Sequence, residues 1–446
     1  MTDVDSGRRP SALGVAEQEG GVVRKALVAL AVLAAAAAVS IPGALARPDA
    51  GKAPSAVPGV TSRSIVLGGT FPLSGPASQY APIPRGMAAY FSWVNSRRGP
   101  DGKRGIYGRQ IVWKYYDDGY NPAQTVQLTN RLVLQDRIFA NVGSLGTEPN
   151  LPIRPLLNQR KVPHILVSTG ASYWGLQYRQ FPWTIGWQPD YVAEGRAYGQ
   201  WIVRNAPNSR IVIFYQNDDY GKDYLRGIKS GLGRRTSLIV SELSHETTDT
   251  SYSSQLARQR ASGADTWVIF SLPTATVRAI GTARALNWRP DTLVLNSVSA
   301  TDQVMGAAAA TAGAAFVNGA ISTSYLKNPA NPVYRNDATV RRYRTLLQRF
   351  GPDGASPNNT FYYYGMAKAS DMVRLLYLAG RNPTRESLMR ATQRMNWVNP
   401  FALRGIRVKT SATDRFPISQ IRLIRYGNGT WTEFGPLIEG RAPATR

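Results

Sequence analysis

A chain of 446 residues is longer than one typical hydrophobic core supports, so two lobes are expected, and 43% hydrophobic with 18% charged residues describes a folded polypeptide rather than a disordered one. The absence of cysteine excludes disulfide scaffolds, thiolate metal sites and cysteine nucleophiles, and the two histidines, His164 and His245, stand in unrelated contexts that suit neither a histidine metal site nor a Ser-His-Asp triad. The formal charge of +25 is mostly dispersed arginine with no long run and no recognition motif, which argues against nucleic-acid binding and for attraction to an anionic membrane or cell-wall surface.

Taken in order, residues 1–63 read as a signal peptide and flexible lead. Arg24-Lys25, the apolar run Ala26–Ile41, the Pro42-Gly43 break and Ala44-Leu45-Ala46 form a secretory signal with cleavage expected after Ala46; a span from Ala26 to Ala46 acting as an uncleaved anchor is the rival. The protein is therefore expected to be exported, working in the periplasm or on the outer face of the cytoplasmic membrane. The N-terminal segment or the basic surface offers a means of membrane association.

From Ser64 the pattern alternates strand and helix. SIVLGGTF is a strand, GMAAYFSWVNSRRG a helix, RQIVWKYYDD a strand and Pro122–Asp136 a helix, followed by the strand Ile138–Val142, the helix Leu151–Gln159 and the strand His164–Val167. A second series comprises the helix Tyr191–Asn205, the strand Arg210–Tyr215, the helix Tyr220–Leu232 and the strand Ser237–Leu243. Ser251–Ala261, Thr266–Phe270, Thr274–Leu286 and Thr292–Leu295 continue the alternation. Long helices at Val333–Phe350 and Asn359–Ala379, a shorter one at Arg385–Met395 and strand-like pieces at Ile406–Lys409 and Ile418–Tyr426 end the chain. The expected fold is α/β, with two doubly wound parallel-sheet lobes.

The stretch Val142–Ser172 brings two Gly/Ser/Thr turns to neighbouring strand ends. Gly143–Thr147 and Ser168–Ser172 offer backbone N–H groups and small hydroxyls that suit a carboxylate or similar anion.

The phrases GTFPLSGPASQYAPIPRGMAAYFSWVN, YYDDGYNPAQTVQLTNRLV, VPHILVSTGAS and NDDYGKDYLRGIKSGL stand in one order and spacing. With them the chain from Ser64 to about Leu437 resembles the type I periplasmic solute-binding proteins, most closely the branched-chain amino-acid-binding (Leu/Ile/Val-binding-like) branch that serves ABC transporters. The resemblance implies lobe 1 from 64–184 plus 323–410, lobe 2 from 185–322 plus 411–440, a tail at 441–446, and a three-crossover hinge near Phe181–Trp187, Ala320–Ser324 and Lys409–Phe416. It also implies a small-molecule ligand, permease subunits of an ABC transporter as partners, no cofactor and no metal.

Carried over by position, Gly170 and Ser172 hold the α-carboxylate and ammonium of an amino acid, with Leu145, Gly146, Thr147 and Thr169 in the adjoining loops. Tyr80 lines the cleft from the first lobe, Tyr220 closes from the second, and Phe361 and Thr274 add wall surface. The family's second-lobe acid, which pairs with the ammonium, corresponds to neutral Ser297, so the ligand expected is an amino acid or a related carboxylate or amide with an apolar body. Asp118, Glu148 and Asp219 are the acids placed to compensate, although Asp117 and Asp118 also read as carboxylates capping the helix that follows. A ligand-sensing receptor of the same fold is the alternative. Catalysis is not expected: Asp117/Asp118 and Asp218/Asp219 are adjacent along the chain rather than across a site, and GTFPLSG lacks a phosphate-loop lysine.

Overall fold

The computed structural model describes residues 56–440; the segment expected to be an export signal with its cleavage site, most of the lead and the tail at 441–446 lie outside the described residues. Among the described residues no helix is long and apolar enough to cross a membrane. Residues 57–60, read in sequence as part of the lead, form a turn against the first strand. The Val66 N–H donates to Gly59 O at 2.7 Å, and a Cβ on Gly59 would meet Phe139 N at 2.2 Å.

The first layer runs β1 (Ser64–Phe71), α1 (Pro82–Ser96), β2 (Gln110–Asp117), α2 (Pro122–Leu134), β3 (Ala140–Val142), α3 (Thr147–Gln159), β4 (His164–Val167), α4 (Tyr173–Leu176) and β5 (Thr184–Gly186). The second continues through α5 (Tyr191–Asn205), β6 (Ile211–Gln216), α6 (Asp219–Leu232), β7 (Ile239–His245), α7 (Ser253–Ala261) and β8 (Thr266–Phe270). It is completed by α8 (Pro273–Ala285), β9 (Thr292–Leu295), α9 (Asp302–Ala312), α10 (Ala314–Val317) and β10 (Ile321–Ser324). The chain then returns to the first layer with α11 (Ala338–Phe350), α12 (Thr360–Ala379), α13 (Arg385–Thr392), β11 (Asn396–Trp397) and β12 (Val408–Lys409). It ends in the second with β13 (Gln420–Gly427) and β14 (Thr430–Glu439).

The first sheet is wholly parallel in the order β2-β1-β3-β4-β5. The second, β14-β13-β10-β9-β8-β6-β7, is parallel except that β13 pairs antiparallel with both β10 and β14. In each sheet the winding reverses once, between β1 and β3 and between β6 and β8. Such a reversal splays the two following loops apart and leaves a crevice at the strand carboxyl ends.

Three packing features fix the frame. Gly195 and Gly199 on α5 meet Gly227 and Gly231 on α6, so these helices touch backbone to backbone: a Cβ on Gly227 would lie 2.3 Å from Val192 O, and one on Gly199 2.4 Å from Ile228 O. Helices α1 and α12 approach in the same way, Gly365 facing Ile83 O at 2.2 Å from a notional Cβ. Buried Asp371 on α12 accepts from the indole N–H groups of Trp187, just after β5, and Trp397 on β11, each at 2.7 Å. Its pKa is pushed up to about 6 by burial.

Several boundaries depart from the sequence reading. Asn121, not Asp117 or Asp118, caps α2, accepting from Ala123 N and Gln124 N; Asp117 instead accepts from Leu73 N, Ser74 N and Gly119 N and so ties the β1 loop to the β2 loop. Helix α11 starts at Ala338 rather than Val333 because Asp337 caps it, and Pro332–Tyr334 forms a separate 3-10 turn. Helix α3 starts four residues early, at Thr147, so that Thr147 occupies its first turn beside the crevice. Ala320–Ser324, the expected second crossover, contains the strand Ile321–Ser324, which pairs with β9 and β13 of the second sheet.

Candidate functional site

The β3–α3 loop is built on glycine and short hydrogen bonds. Gly146 sits at φ 104°, where a Cβ would meet the Tyr120 ring at 2.6 Å, so only glycine fits. The Ser144 hydroxyl donates to Asn141 Oδ1 at 2.7 Å and accepts from Thr70 N at 3.0 Å, which pins the loop to β1 across the winding reversal. The next loop is joined to it by a bridge between Leu145 and Ser168 and by the hydroxyls of Thr147 and Thr169, 2.6 Å apart. Both loops therefore present one wall.

Facing that wall, α5, α6 and the loops after β8, β9 and β10 enclose a cavity of about 100 Å³. Aromatic rings dominate its lining: Tyr80, Tyr120, Tyr191, Tyr220, Tyr325, Phe361 and Tyr364. The Tyr80 and Phe361 rings meet edge to face at 5.0 Å, as do Tyr191 and Tyr220 at 5.3 Å, while Tyr191 stacks on Tyr224 at 4.6 Å. Across the cleft the Tyr80 hydroxyl donates to Val298 O at 3.3 Å. Asn296 Nδ2 donates to the Tyr220 hydroxyl at 2.7 Å, setting that ring's position. Burial pushes the phenols of Tyr80, Tyr120, Tyr220 and Tyr325 well above their ordinary range, so they serve as neutral donors and acceptors. The lining contains no acidic and no basic side chain.

Of the residues singled out from the sequence, Tyr80, Leu145, Gly146, Thr147, Tyr220, Ser297 and Phe361 come together on this lining. Thr169, Gly170, Ser172 and Thr274 lie outside it. Thr169 stands behind Thr147. Gly170 is closed in by Pro189 O, 2.1 Å from a notional Gly170 Cβ, and by the Tyr191 ring, whose Cδ1 and Cε1 lie 2.7 Å from it; Tyr191 N donates to Gly170 O at 2.8 Å, and the Tyr191 hydroxyl to Gln188 Oε1 at 3.4 Å. The ring thus stands against the turn that the resemblance assigned to an amino acid's head group. Ser172 is likewise committed: its N–H donates to Asp223 Oδ2 at 2.9 Å and its hydroxyl to Asp190 Oδ1 at 2.7 Å. Thr274 sits at the outer rim, where its hydroxyl accepts from Gln79 Nε2 at 3.4 Å.

The second layer does hold a buried acid beneath Ser297. Glu194 accepts from Ser297 N and Oγ, each at 2.8 Å, and from the Tyr198 hydroxyl at 2.5 Å. Burial raises its pKa, and it is not part of the lining. The three other acids considered do not reach the cavity either. Asp118 accepts from Tyr120 N and the Thr125 hydroxyl, each at 3.0 Å, and burial pushes its pKa up to about 6; Glu148 faces Asp219 N at 3.5 Å. Tyr191, Tyr325, Tyr364 and Glu194 were missed from sequence. The signal for Tyr191 was the Asp190 cap directly before it, which places that ring at a helix start facing the cleft.

The chain matches the model of the periplasmic binding protein family over residues 64–430. A leucine-specific-binding protein of Salmonella typhimurium is 24% identical over 169 residues, 38% of this chain and 43% of that protein, so the aligned stretch spans less than half the length of this relative. Among solved structures, a fatty acid ABC transporter substrate-binding protein from Thermomonospora curvata superposes with a TM-score of 0.71 at 20% identity, covering 86% of this chain and 94% of that one. A solute-binding protein of an ABC transporter from R. palustris in complex with 4-hydroxybenzoate superposes with a TM-score of 0.69 at 17% identity, covering 85% and 98%. With two α/β layers, a crevice at both winding reversals and a family match over most of its length, the chain belongs to the periplasmic binding protein family.

Proposed function

We propose that the protein is an extracytoplasmic solute receptor that captures a small ligand with an apolar body and a carboxylate or carbonyl head, and delivers it to the permease of an ABC importer. The observation that carries this reading is the cavity lining: aromatic rings and hydroxyls without an ionised acid. An α-amino acid would bury an ammonium there at a cost of several kcal/mol, with no acid on the lining itself and the nearest, Glu194, committed behind Ser297 to three donors. A volume of about 100 Å³ is of the order of the ~150 Å³ engineered cavity that holds benzene. The structural neighbours named for a fatty acid and for 4-hydroxybenzoate support the same ligand class, whereas the leucine-specific relative represents the class the lining disfavours.

On this reading residues 64–184 plus 323–410 and 185–322 plus 411–440 are lobes that hinge about the three crossings. Tyr80, Thr147, Tyr220 and Phe361 touch the ligand, with Leu145, Gly146 and Ser297 completing the wall. The protein binds its ligand without converting it. Mass spectrometry of small molecules released on denaturation, followed by a thermal-shift screen, tests this. Benzoates and short fatty acids are expected to raise the melting temperature and free leucine or valine to leave it unchanged; stabilisation by the amino acids and not by the carboxylates would refute the reading.

A further inference from the structure

One buried cation stands directly behind the lining. Lys368, on α12, is fully buried, and its Nζ donates to the hydroxyls of Ser168 and of Tyr364, the latter at 3.0 Å. Both acceptors line the cavity. The amine also lies over the rings of Tyr364, at 4.6 Å, and Trp187, at 5.3 Å. The Ser168 hydroxyl in turn donates to Gly143 O at 2.6 Å, so Lys368 reaches the cavity through two hydroxyls that already belong to its wall.

What faces this amine is neutral. From the β3–α3 loop it meets Gly143, whose notional Cβ lies 3.6 Å from Nζ and 3.5 Å from the Met87 methyl of α1; from β4 it meets Ser168, and beyond β5 Trp187. On its own helix the titratable neighbours are Tyr364 and Asp371, one turn on, whose carboxylate is committed to the Trp187 and Trp397 indoles. Past Tyr364 stand the phenols of Tyr191 and Tyr325. Among the described residues no ion pair to Lys368 is present, and burial pushes its pKa well below the ordinary lysine value. A buried amine without a counter-ion costs stability unless a role retains it.

We propose that Lys368 is the counter-charge for the head group of an anionic ligand. A carboxylate in the cavity accepts from the Tyr364 hydroxyl, while the Ser168 hydroxyl stays committed to Gly143 O, and Lys368 behind them takes a proton from solvent to become an ammonium as the anion enters. The inference rests on the proposed cleft and deepens it, since it makes the ligand a carboxylate rather than an amide. It also predicts a sign. Binding that takes up a proton weakens as pH rises, by up to about tenfold per unit between the free and bound pKa values of the lysine.

The test is calorimetric titration of the full chain with benzoate, hexanoate and octanoate, each against its primary amide, from pH 6 to 9 in two buffers of different ionisation enthalpy. The carboxylates are expected to bind with uptake of roughly one proton somewhere in that range, and the amides at least tenfold more weakly and with none. Lys368→Met is expected to cost the carboxylates more than tenfold, flatten the pH profile and spare the amides. Binding of carboxylates without proton uptake, or of amides equally well, overturns the assignment of Lys368 while leaving the cleft intact, and needs no variant to be read. Failure of both probe classes overturns the cleft reading and this inference together.

Discussion

Gly227→Ala puts the backbone contact between α5 and α6 to a direct test. The added Cβ would lie 2.3 Å from Val192 O and 3.0 Å from Gly195 Cα, against an ordinary separation of about 3.5 Å, so the helices must part by roughly 1 Å. A gap of that size forfeits about a quarter to a half of the dispersion attraction along the contact, and overpacking of this kind costs about 1–3 kcal/mol. Against it stands the gain of about 1 kcal/mol from replacing glycine by alanine inside a helix. The net expectation is a loss of up to about 2 kcal/mol, read as a lower urea midpoint with unchanged slope. Gly306→Ala supplies the reference: on the exposed face of α9, nothing lies within 4 Å of its notional Cβ, so the propensity gain should appear alone and the variant should be more stable than the parent. Because Gly195 faces Gly227, the double variant Gly195→Ala/Gly227→Ala should cost less than the sum of the singles, the helices having already parted. A Gly227→Ala protein that gains as much stability as Gly306→Ala would refute the close-contact argument. The contact matters for the site because Tyr191 and Tyr220 stand at the starts of these two helices.

Two further outcomes follow from buried carboxylates. Asp218 caps α6 through Gly221 N and accepts from Gln216, and burial pushes its pKa up to about 7. A folded value above the unfolded one means that its contribution is complete below about pH 4 and lost as pH rises through 7, so Asp218→Asn should gain on the parent by about 2 kcal/mol between pH 5 and pH 8. Urea midpoints at the two pH values check this, and an unchanged difference contradicts it. Asp371→Asn leaves one carbonyl oxygen for two indole donors and turns an amide N–H toward the other, which should cost about 2 kcal/mol. Thermal unfolding with no detectable shift would show that the indole pair does not depend on the charge.

The architecture was legible because parallel strands buried on both faces read as short apolar runs; RIVIFY and TWVIF place β6 and β8 within a residue or so. Helix starts were less legible where two capping residues competed, as Asp118 and Asn121 did before Pro122. Helix α9 carries a run of alanines with no distinct apolar stripe, so its period does not show. The binding loops were located, but the partners of their donors were not. No local pattern says that Tyr191 lies on Gly170, and the acid beneath Ser297 comes from a residue 103 positions earlier. Lys368 hides in the same way: a lone lysine in YYYGMAKASD reads as a solvated turn of helix until the fold closes around it.

The ring of Tyr191 over Gly170 has one more consequence. Because the ring is tethered, it stays against the Gly170 turn at any solute concentration, and a head group that approaches that turn meets a neighbour that never diffuses away. On the proposed reading, a ligand that needs that turn is disfavoured, while one held by rings and hydroxyls elsewhere in the cavity loses nothing. Selectivity against amino acids would then be an act of exclusion, carried out by one of the protein's own side chains.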